Sequence, residues 1–417
     1  MKIMSSYVYM PGHAFPLEPE LWFDKKEVGY YSQVTHHSIA FDKRNLKPFR
    51  LPSAASLRGK KWNVRDGYQN FKSRVFKRTE SMVQNLLLTT IKYEYDHKSS
   101  ETFKIPQILC HSGLFKDILA DTEKYEVIPF DSQLIFVGTN RRYNQDPLIS
   151  FSGIRFEDLM ETNDPTVQTK NNFFHFKSLD RWELRSQQGY PALTCLTVTE
   201  IDAVKQKSDE QNFEQKSPGL YTEIKMIYAC PTAEYDDDVL DILRNTKQRF
   251  GHKLFQWIIQ CKYGMSKYLL IGLRGPDYNI WKVGLYNIDY DVIPYIKKYF
   301  KSEYAQYQYS SDKLFKVLKW VQDSIENSVK ESGNHDYPDV FEFNIRRQDY
   351  ELKKLPERKA KNAYDTAMIK DFLEWRRHGK NKLSSSDFIF HKRRKPKRQG
   401  ERDGLQVLEG GFKKMQI

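Results

Sequence analysis

The chain is short of the features that mark secreted, disulfide-held or membrane-spanning proteins. It has only four cysteines in 417 residues: Cys110, Cys195, Cys230 and Cys261. None lies near another and there is no CxxC pair, which argues against cysteine-bound zinc and a disulfide framework. Each sits in an apolar run and is expected to be a buried small hydrophobe. No stretch approaches the ~20 apolar residues a membrane span needs. The opening MKIMSSYVYMPGHAFPLEP lacks the continuous apolar core of a secretory signal. No internal repeat is evident. These absences predict a soluble, intracellular protein with no membrane partner.

What the chain does have is positive charge and aromatic rings. Lys and Arg number 67 against 54 Asp and Glu, a formal net charge of +13. Such a surplus suits a polyanionic partner, either nucleic acid or an acidic membrane surface. The 26 Tyr and 26 Phe supply rings that can stack unpaired bases, though most serve the core. Residues 1–375 read as one large domain. From Arg376 onward apolar periodicity fades, and HKRRKPKRQGER (His391–Arg402) is a run of like charge. A basic, flexible, solvated tail over 376–417 is the plainer account. An RNA-contacting tail or a nuclear-import signal is the alternative.

The elements alternate in kind. A helix is expected in the second half of 66–93, through Met82, Leu86, Leu87 and Ile91. YEVIPF and QLIFVG flank Asp131–Ser132 as a hairpin. Gly153–Met160 reads as a helix opening behind a glycine. ALTCLTVTEIDAV is a strand, 205–218 a polar loop, and GLYTEIKMIYAC (Gly219–Cys230) a second strand. Helical spacing then runs from Asp238 to Tyr263. KYLLIGL and NIWKVGLYNI are strands about the turn GPDY. DVIPYIKKYF and SDKLFKVLKWVQDSIENSV are helices, and DVFEFNIRR is a late strand. The fold class is therefore α/β (α+β), with mixed β-sheets and flanking helices.

Two strands break their own pattern. In GLYTEIKMIYAC apolar residues line both faces, which predicts burial on both sides, yet Glu223 and Lys225 lie in the middle. In the preceding strand Thr194, Leu196, Val198, Glu200 and Asp202 share one face, so two acids continue an apolar stripe. Burying such charges costs several kcal/mol unless each is paired or metal-bound. If the two strands pair antiparallel across the loop, Glu200, Asp202, Glu223 and Lys225 fall in one small patch. Two like charges ~5 Å apart at an effective dielectric of ~20 cost about 3 kcal/mol. One lysine cannot offset three such acids. Two accounts are open: a charged hairpin whose acids and lysine pair in solvent, or a site where some acids are protonated or a divalent cation sits. Oxygen ligands select a hard ion, magnesium or manganese. Carboxylates, metal and lysine together are the apparatus of phosphodiester hydrolysis. Glu157, in GIRFE, is a fourth acid that can join the patch or remain on a helix surface.

The order of these motifs resembles the DXO decapping exoribonuclease family, which includes the nuclear partner protein of a 5′–3′ exoribonuclease. The residues that carry the likeness are Gly153-Ile-Arg-Phe-Glu157, Glu200-Ile-Asp202 and Glu223-Ile-Lys225. They are followed by Gln260 at the end of His252-Lys253-Leu254-Phe255-Gln256-Trp257-Ile258-Ile259-Gln260. KEVGYYSQ, DGYQNF and KYLLIGLRGPDY are similar to further family stretches. The likeness runs from about residue 25 to 330 and more faintly to Phe372–Arg376. It implies a nuclease core of the Asp…(Asp/Glu)-x-Lys kind within 1–375. It implies metal binding, by magnesium or manganese and as two ions, through Glu157, Glu200, Asp202, Glu223 and the Ile224 carbonyl. Lys225 and Gln260 would contact the scissile phosphate and the water. The substrates implied are single-stranded RNA 5′ ends with unmethylated, incomplete or NAD caps. Cleavage would fall at the first phosphodiester and release the cap with its nucleotide, with 5′–3′ exoribonuclease activity and RNA 5′-end quality control.

Two departures bear on that expectation. In Leu109-Cys110-His111-Ser112-Gly113, of which His111, Ser112 and Gly113 are candidate substrate-binding residues, Ser112 stands where the family usually has arginine. Gln33 stands where an arginine tends to follow Tyr-Ser. Both arginines would neutralise phosphates, so pyrophosphate release from triphosphate ends is the activity their absence puts in doubt. The chain is most similar to fungal, largely cytoplasmic members, with the nucleus as the alternative location given the basic tail. The competing functions are a non-catalytic stabilising partner of a large 5′–3′ exoribonuclease, and a DNA nuclease on the same core.

Overall fold

The computed structural model describes residues 6–9, 23–35, 38–59, 61–70, 78–97, 103–120, 122–139, 146–162, 164, 166, 175–186, 189–205, 218–231, 237–332, 339–346 and 349–378. The first elements are β1 (Ser6–Tyr9), β2 (Phe23–Thr35), β3 (Ser38–Ala40), β4 (Pro48–Phe49), α1 (Ala54–Gly59) and α2 (Arg78–His97). Next come β5 (Ile108–His111), α3 (Gly113–Ala120), β6 (Glu123–Phe130), β7 (Gln133–Gly138) and α4 (Pro147–Thr162). The central part holds β8 (Phe176–Leu184), β9 (Leu193–Ile201), β10 (Ala203–Lys205), β11 (Tyr221–Tyr228), α5 (Val239–Thr246) and α6 (Phe250–Lys262). It is followed by β12 (Tyr268–Arg274), β13 (Ile280–Asn287), α7 (Ile293–Tyr299), α8 (Lys301–Gln308) and α9 (Ser310–Ser332). The last are β14 (Phe341–Arg346), β15 (Asp349–Lys354), α10 (Glu357–Ala367) and α11 (Lys370–His378).

The strands form two sheets, as the mixed α/β expectation requires. The larger runs β1-β15-β14-β6-β7-β5-β9-β8-β2-β3 and the smaller β13-β12-β11-β10-β4. Most neighbours are antiparallel, but β5 is parallel to both β7 and β9, β12 is parallel to β11, and β4 is parallel to β10. The large sheet is covered on both faces. One face packs Leu114 and Phe115 of α3, Leu254 and Ile258 of α6, and Leu318 and Val321 of α9. The other packs Leu86, Leu87 and Ile91 of α2 with Phe372 and Trp375 of α11. The predicted β6–β7 hairpin is present, and its turn residues Asp131 and Ser132 both have positive φ (46° and 62°), the geometry of a tight primed turn.

Three local expectations are corrected. The helix expected to open behind Gly153 begins at Pro147 instead, capped by Asp146, whose Oδ1 accepts from Leu148 N at 2.9 Å. The single helix expected over 238–263 is two, because Arg249 takes a left-handed φ of 60° between α5 and α6. Cys110, Cys195 and Cys261 are buried as expected, but Cys230 is exposed just past β11, with Tyr228 OH and its Sγ 3.0 Å apart. The run His391–Arg402 lies outside the described residues. Arg376, where apolar periodicity fades, is still in α11, and its Nη2 meets the buried Glu94 at 2.5 Å.

The smaller sheet is joined to α4 by an unusually close contact. A Cβ placed on Gly272 of β12 would lie 2.3 Å from the Phe156 ring of α4. Phe156 is buried with Leu159, Met160, Ile224 and Leu270. Glycine is needed there because the ring rests on the strand backbone. Gly272→Ala is therefore expected to destabilise the protein by about 1–3 kcal/mol through overpacking, measured by urea denaturation. Adding Phe156→Leu should return part of that loss, giving a less than additive double mutant.

Candidate active site

Asp202 is the one residue between β9 and β10, at the point where the chain leaves the large sheet for the small one. β9 brings Glu200 to that point. Beyond it, β10 pairs antiparallel with β11 only through Ala203↔Thr222 and Val204↔Tyr221. The expected pairing of the two acidic strands is thus realised past Asp202 alone. β9 itself lies between β8 and β5. β11 keeps its other edge on β12 throughout, from Thr222 to Tyr228. Its N-terminal half, Tyr221–Ile224, is buried as predicted, Lys225–Ile227 are half-buried, and Tyr228 is exposed. The strand emerges from the core as it passes the acids.

The acids converge from four elements. Glu223 on β11 is 4% exposed, and its Oε1 accepts from the Lys225 ammonium and from Gln260 Nε2 of α6, the latter at 2.5 Å. Asp202 Oδ2 accepts from the backbone N–H of Ile224 at 2.8 Å. In an extended strand the N–H and C=O of one residue point to the same edge, so the Ile224 carbonyl also faces the Asp202 side. Glu200 is held by Lys177 of β8, with Nζ at 2.8 Å, and by His175 just before β8, with Nδ1 at 3.4 Å. Glu157 comes from α4, half-buried beside the Phe156 that rests on Gly272.

The electrostatics show how close these groups are. Burial, then Glu200, pushes the Glu157 carboxyl up to about 8, against the opposing pull of Lys225 and Lys47. Burial, then Glu223 and Glu157, raises Asp202 well above the carboxylate range, despite the Ile224 N–H. Burial works against the Lys225 ammonium, but Glu223 and Asp202 outweigh it and raise its pKa. All four predicted acids and Lys225 therefore share one field, and the charged-hairpin-in-solvent account does not describe them. Among the described residues, no group of three or more His, Cys, Asp or Glu side chains stands as a finished metal-ligand set. The acids are turned instead to Lys177, Lys225, Gln260 and the Ile224 N–H. In donor type the patch fits a hard cation, being all carboxylate oxygen with two acids carrying raised pKa values.

The remaining predicted residues lie on the large-sheet side. His111 pairs with Val198 in the β5–β9 register, and its Nε2 is 3.3 Å from the Met82 carbonyl of α2. Ser112 N donates to Val198 O at 3.1 Å, two residues before Glu200, and Gly113 opens α3. Gln33 N donates to His175 O at 3.1 Å, so Gln33 adjoins the histidine that faces Glu200. Sequence reasoning missed Lys177, His175 and the link below β11, where Tyr221 OH donates to Glu27 Oε2 at 2.8 Å. Lys177 was readable by the same anomaly as Lys225: a lysine inside the buried strand FKSLDRW.

Asp202 beside Glu223-x-Lys225 of β11, at the junction of two mixed sheets, is the arrangement expected of a PD-(D/E)XK nuclease core. A family model described as RAI1-like PD-(D/E)XK nuclease matches residues 24–369, and the chain belongs to that family. No curated protein matches it by sequence. Among solved structures it is similar to Candida albicans Rai1 in complex with pU5 and Mn2+, at 17% identity and a TM-score of 0.65, covering 87% of this chain and 97% of that one. It is also similar to Scheffersomyces stipitis Rai1 in complex with (3′-NADP)+ and calcium, at 18% identity and a TM-score of 0.65, covering 90% and 98%. A third likeness is to K. lactis Dxo1 in complex with manganese, at 15% identity and a TM-score of 0.54, covering 85% and 98%. At these identities the likeness establishes the fold.

The raised Glu157 pKa has a stability consequence in metal-free protein. A carboxyl whose folded pKa exceeds its unfolded value of 4.5 favours the folded state fully below 4.5, and that contribution is lost as pH rises to about 8. Glu157→Gln is expected to raise the melting temperature of metal-free protein at pH 8.5 by several degrees and to change it little at pH 4.5, measured by differential scanning calorimetry.

Proposed function

We propose that the chain is a divalent-metal-dependent nuclease of RNA 5′ ends. It hydrolyses the first phosphodiester of incompletely capped RNA, NAD-capped ends included, and continues as a 5′–3′ exoribonuclease. The observation that carries this reading is the shared field of Glu157, Glu200, Asp202, Glu223 and Lys225 at the junction of the two sheets. The family assignment and the RNA, dinucleotide and metal ligands of the solved relatives support it. The proposal includes one large catalytic domain over 1–375 and a cytoplasmic location, both resting on the sequence.

Glu157, Glu200, Asp202, Glu223 and the Ile224 carbonyl would hold magnesium or manganese, as two ions. A bound ion would supply a water of lowered pKa and neutralise charge on the phosphate. The protein's own groups do the rest. Lys225, its ammonium stabilised by Glu223 and Asp202, carries positive charge to the phosphate and orients the water. Gln260 fixes the Glu223 carboxylate from α6. Lys177 of β8 and His175 just before it hold Glu200 in place. His111, Ser112 and Gly113 would line the 5′-terminal side. With no arginine at 33 or 112, a triphosphate end finds less positive charge there, which weakens pyrophosphate release more than cleavage of the internal bond.

The test is a panel of RNAs with triphosphate, monophosphate, unmethylated-cap, methylated-cap and NAD 5′ ends, offered with magnesium or manganese to wild type and variants. Release of the cap with its nucleotide is expected from wild type and is expected to vanish in Glu223→Ala and in the Glu200→Ala/Asp202→Ala double variant. Gln260→Ala, which removes the bond to Glu223 and the Gln260 contact to the scissile phosphate, is expected to lose about 10–100-fold. Full activity in Glu223→Ala would contradict the assignment. An inert wild type that co-purifies with and stabilises a large exoribonuclease would favour the non-catalytic alternative, and equal cleavage of single-stranded DNA would favour a DNA nuclease.

A further inference from the structure

Beneath β11 the protein holds two carboxyl groups that meet at one hydroxyl. Glu27 of β2 and Asp180 of β8 stand opposite each other in the β2–β8 register. Ser178 Oγ reaches both, at 2.9 Å from Glu27 Oε2 and in close contact with Asp180 Oδ1. Tyr221 OH of β11 donates to the same Glu27 oxygen at 2.8 Å, and Thr199 Oγ1 of β9 donates to Asp180 Oδ2 at 2.9 Å. Tyr221, Ser178 and Asp180 are fully buried, Thr199 is nearly so and Glu27 is half-buried. Among the described residues these contacts make one chain from the small sheet to the large: Tyr221, Glu27, Ser178, Asp180, Thr199.

The chain has one more contact than its hydroxyls can fill. Three hydroxyls carry three protons, and four oxygen–oxygen contacts need one each. With both carboxyls ionised, Ser178 donates to one of them and turns a lone pair to the other in a dry site. A fourth proton, on Glu27 or Asp180, makes every contact donor to acceptor. The surroundings favour that proton. Burial pushes Asp180 up to about 7, and burial also raises Glu27. The cations that face the pair are Lys25 of β2 and Lys43 beyond β3. Lys25 Nζ donates to Lys262 O at 2.7 Å, and burial, then Lys262, lowers its pKa to about 8. The Tyr221 phenol, with Tyr30 beside it, has its pKa raised by burial and then by Glu27, and stays neutral.

We infer that Glu27 and Asp180 share one proton, and that this proton locks β11 of the small sheet to β2, β8 and β9 of the large one. Without it two carboxylates repel across a single hydroxyl, and the tie from Glu27 to Tyr221 loosens. The lock bears on the acids through the backbone. Tyr221 lies two residues before Glu223 on the same face of β11, and Thr199 directly precedes Glu200 on β9. Glu27 and Asp180 act through Tyr221 and Thr199, which makes them positioning residues for Glu223 and Glu200. That role rests on the nuclease reading above, whereas the shared proton does not. The Asp180 pKa is raised on folding from the ordinary 3.8 to about 7, so the lock is complete at low pH and is lost as pH rises through about 7.

Asp180→Asn tests the proton count. An amide at 180 accepts from Thr199 through its oxygen and donates to Ser178 through its nitrogen, so it fills the fourth contact at every pH. The full chain, free of metal, is compared at pH 6 and pH 8.5 by hydrogen–deuterium exchange of the β11 peptide, corrected for the intrinsic rate. Wild type is expected to lose protection at pH 8.5 by about tenfold, the equivalent of one pKa unit, and Asp180→Asn to lose none. At pH 6 the infrared difference between the two proteins is expected to contain the band of a protonated carboxylic acid, present in wild type alone. Tyr221→Phe, which cuts the tie but leaves Ser178 between the two carboxyls, is expected to keep that band and to show weak β11 protection at both pH values. With magnesium and RNA, the alkaline fall in kcat is expected to move to higher pH in Asp180→Asn, with KM unchanged. A difference spectrum without the acid band would overturn the lock, as would the same change of protection with pH in wild type and Asp180→Asn, or an Asp180→Asn protein that does not fold. An alkaline fall that stays in place would overturn the positioning role. If wild type cleaves no RNA, the nuclease reading falls, and exchange and infrared still decide the lock.

Discussion

The constraint on which the rest depends is the cost of holding like charges together in a partly dry space. Glu157, Glu200, Asp202 and Glu223 arrive from α4, β9, the β9–β10 junction and β11. At the spacing of neighbouring strands each close pair costs about 3 kcal/mol at an intermediate dielectric. A fold of ordinary stability, about 5–15 kcal/mol in total, cannot leave several such terms uncompensated. The molecule answers with ammonium groups, hydrogen-bonding partners and protons: Lys225 and Gln260 on Glu223, Lys177 and His175 on Glu200, the Ile224 N–H on Asp202, and raised pKa values on Glu157 and Asp202.

The architecture follows from delivering those charges to one place. One chain segment must serve both sheets, and β9 and β10 do so with Asp202 between them. A helix must be seated closely enough to bring in a fourth acid, and Gly272 gives Phe156 of α4 that seat. Beneath β11 a second polar layer ties the sheets together. Glu27 of β2 accepts from Tyr221 of β11 at 2.8 Å and from Ser178 of β8 at 2.9 Å, and Thr199 donates to Asp180 at 2.9 Å. Asp180 is fully buried and its pKa is pushed up to about 7, chiefly by burial. These groups sit below the acids and fix the strand that carries Glu223 and Lys225.

Much of this was legible in the amino-acid sequence because the site violates local rules. Charges inside GLYTEIKMIYAC and at the end of ALTCLTVTEID contradict the burial their neighbours demand, and such contradictions mark functional positions. The order of the acidic motifs then placed the chain in its family. What sequence could not supply was long-range. No local signal tells that the strand carrying Glu200 pairs with β8 and β5, or that only β10 reaches β11. The break at Arg249 is equally hidden, since apolar spacing continues across it and the left-handed φ belongs to a residue with no special preference for it. Gly153 misled because glycine punctuates helices more often than it lies inside them, whereas Asp146-Pro147 held the true start.

The proposed function makes one central prediction: the acid patch holds protons that a divalent cation would displace. Its most direct test is calorimetric titration of metal-free protein with manganese near pH 7, in two buffers of different ionisation enthalpy. Binding is predicted to release protons, and the release is predicted to shrink in Glu157→Gln. Manganese binding with no proton release, or with the same release in that variant, would contradict the account.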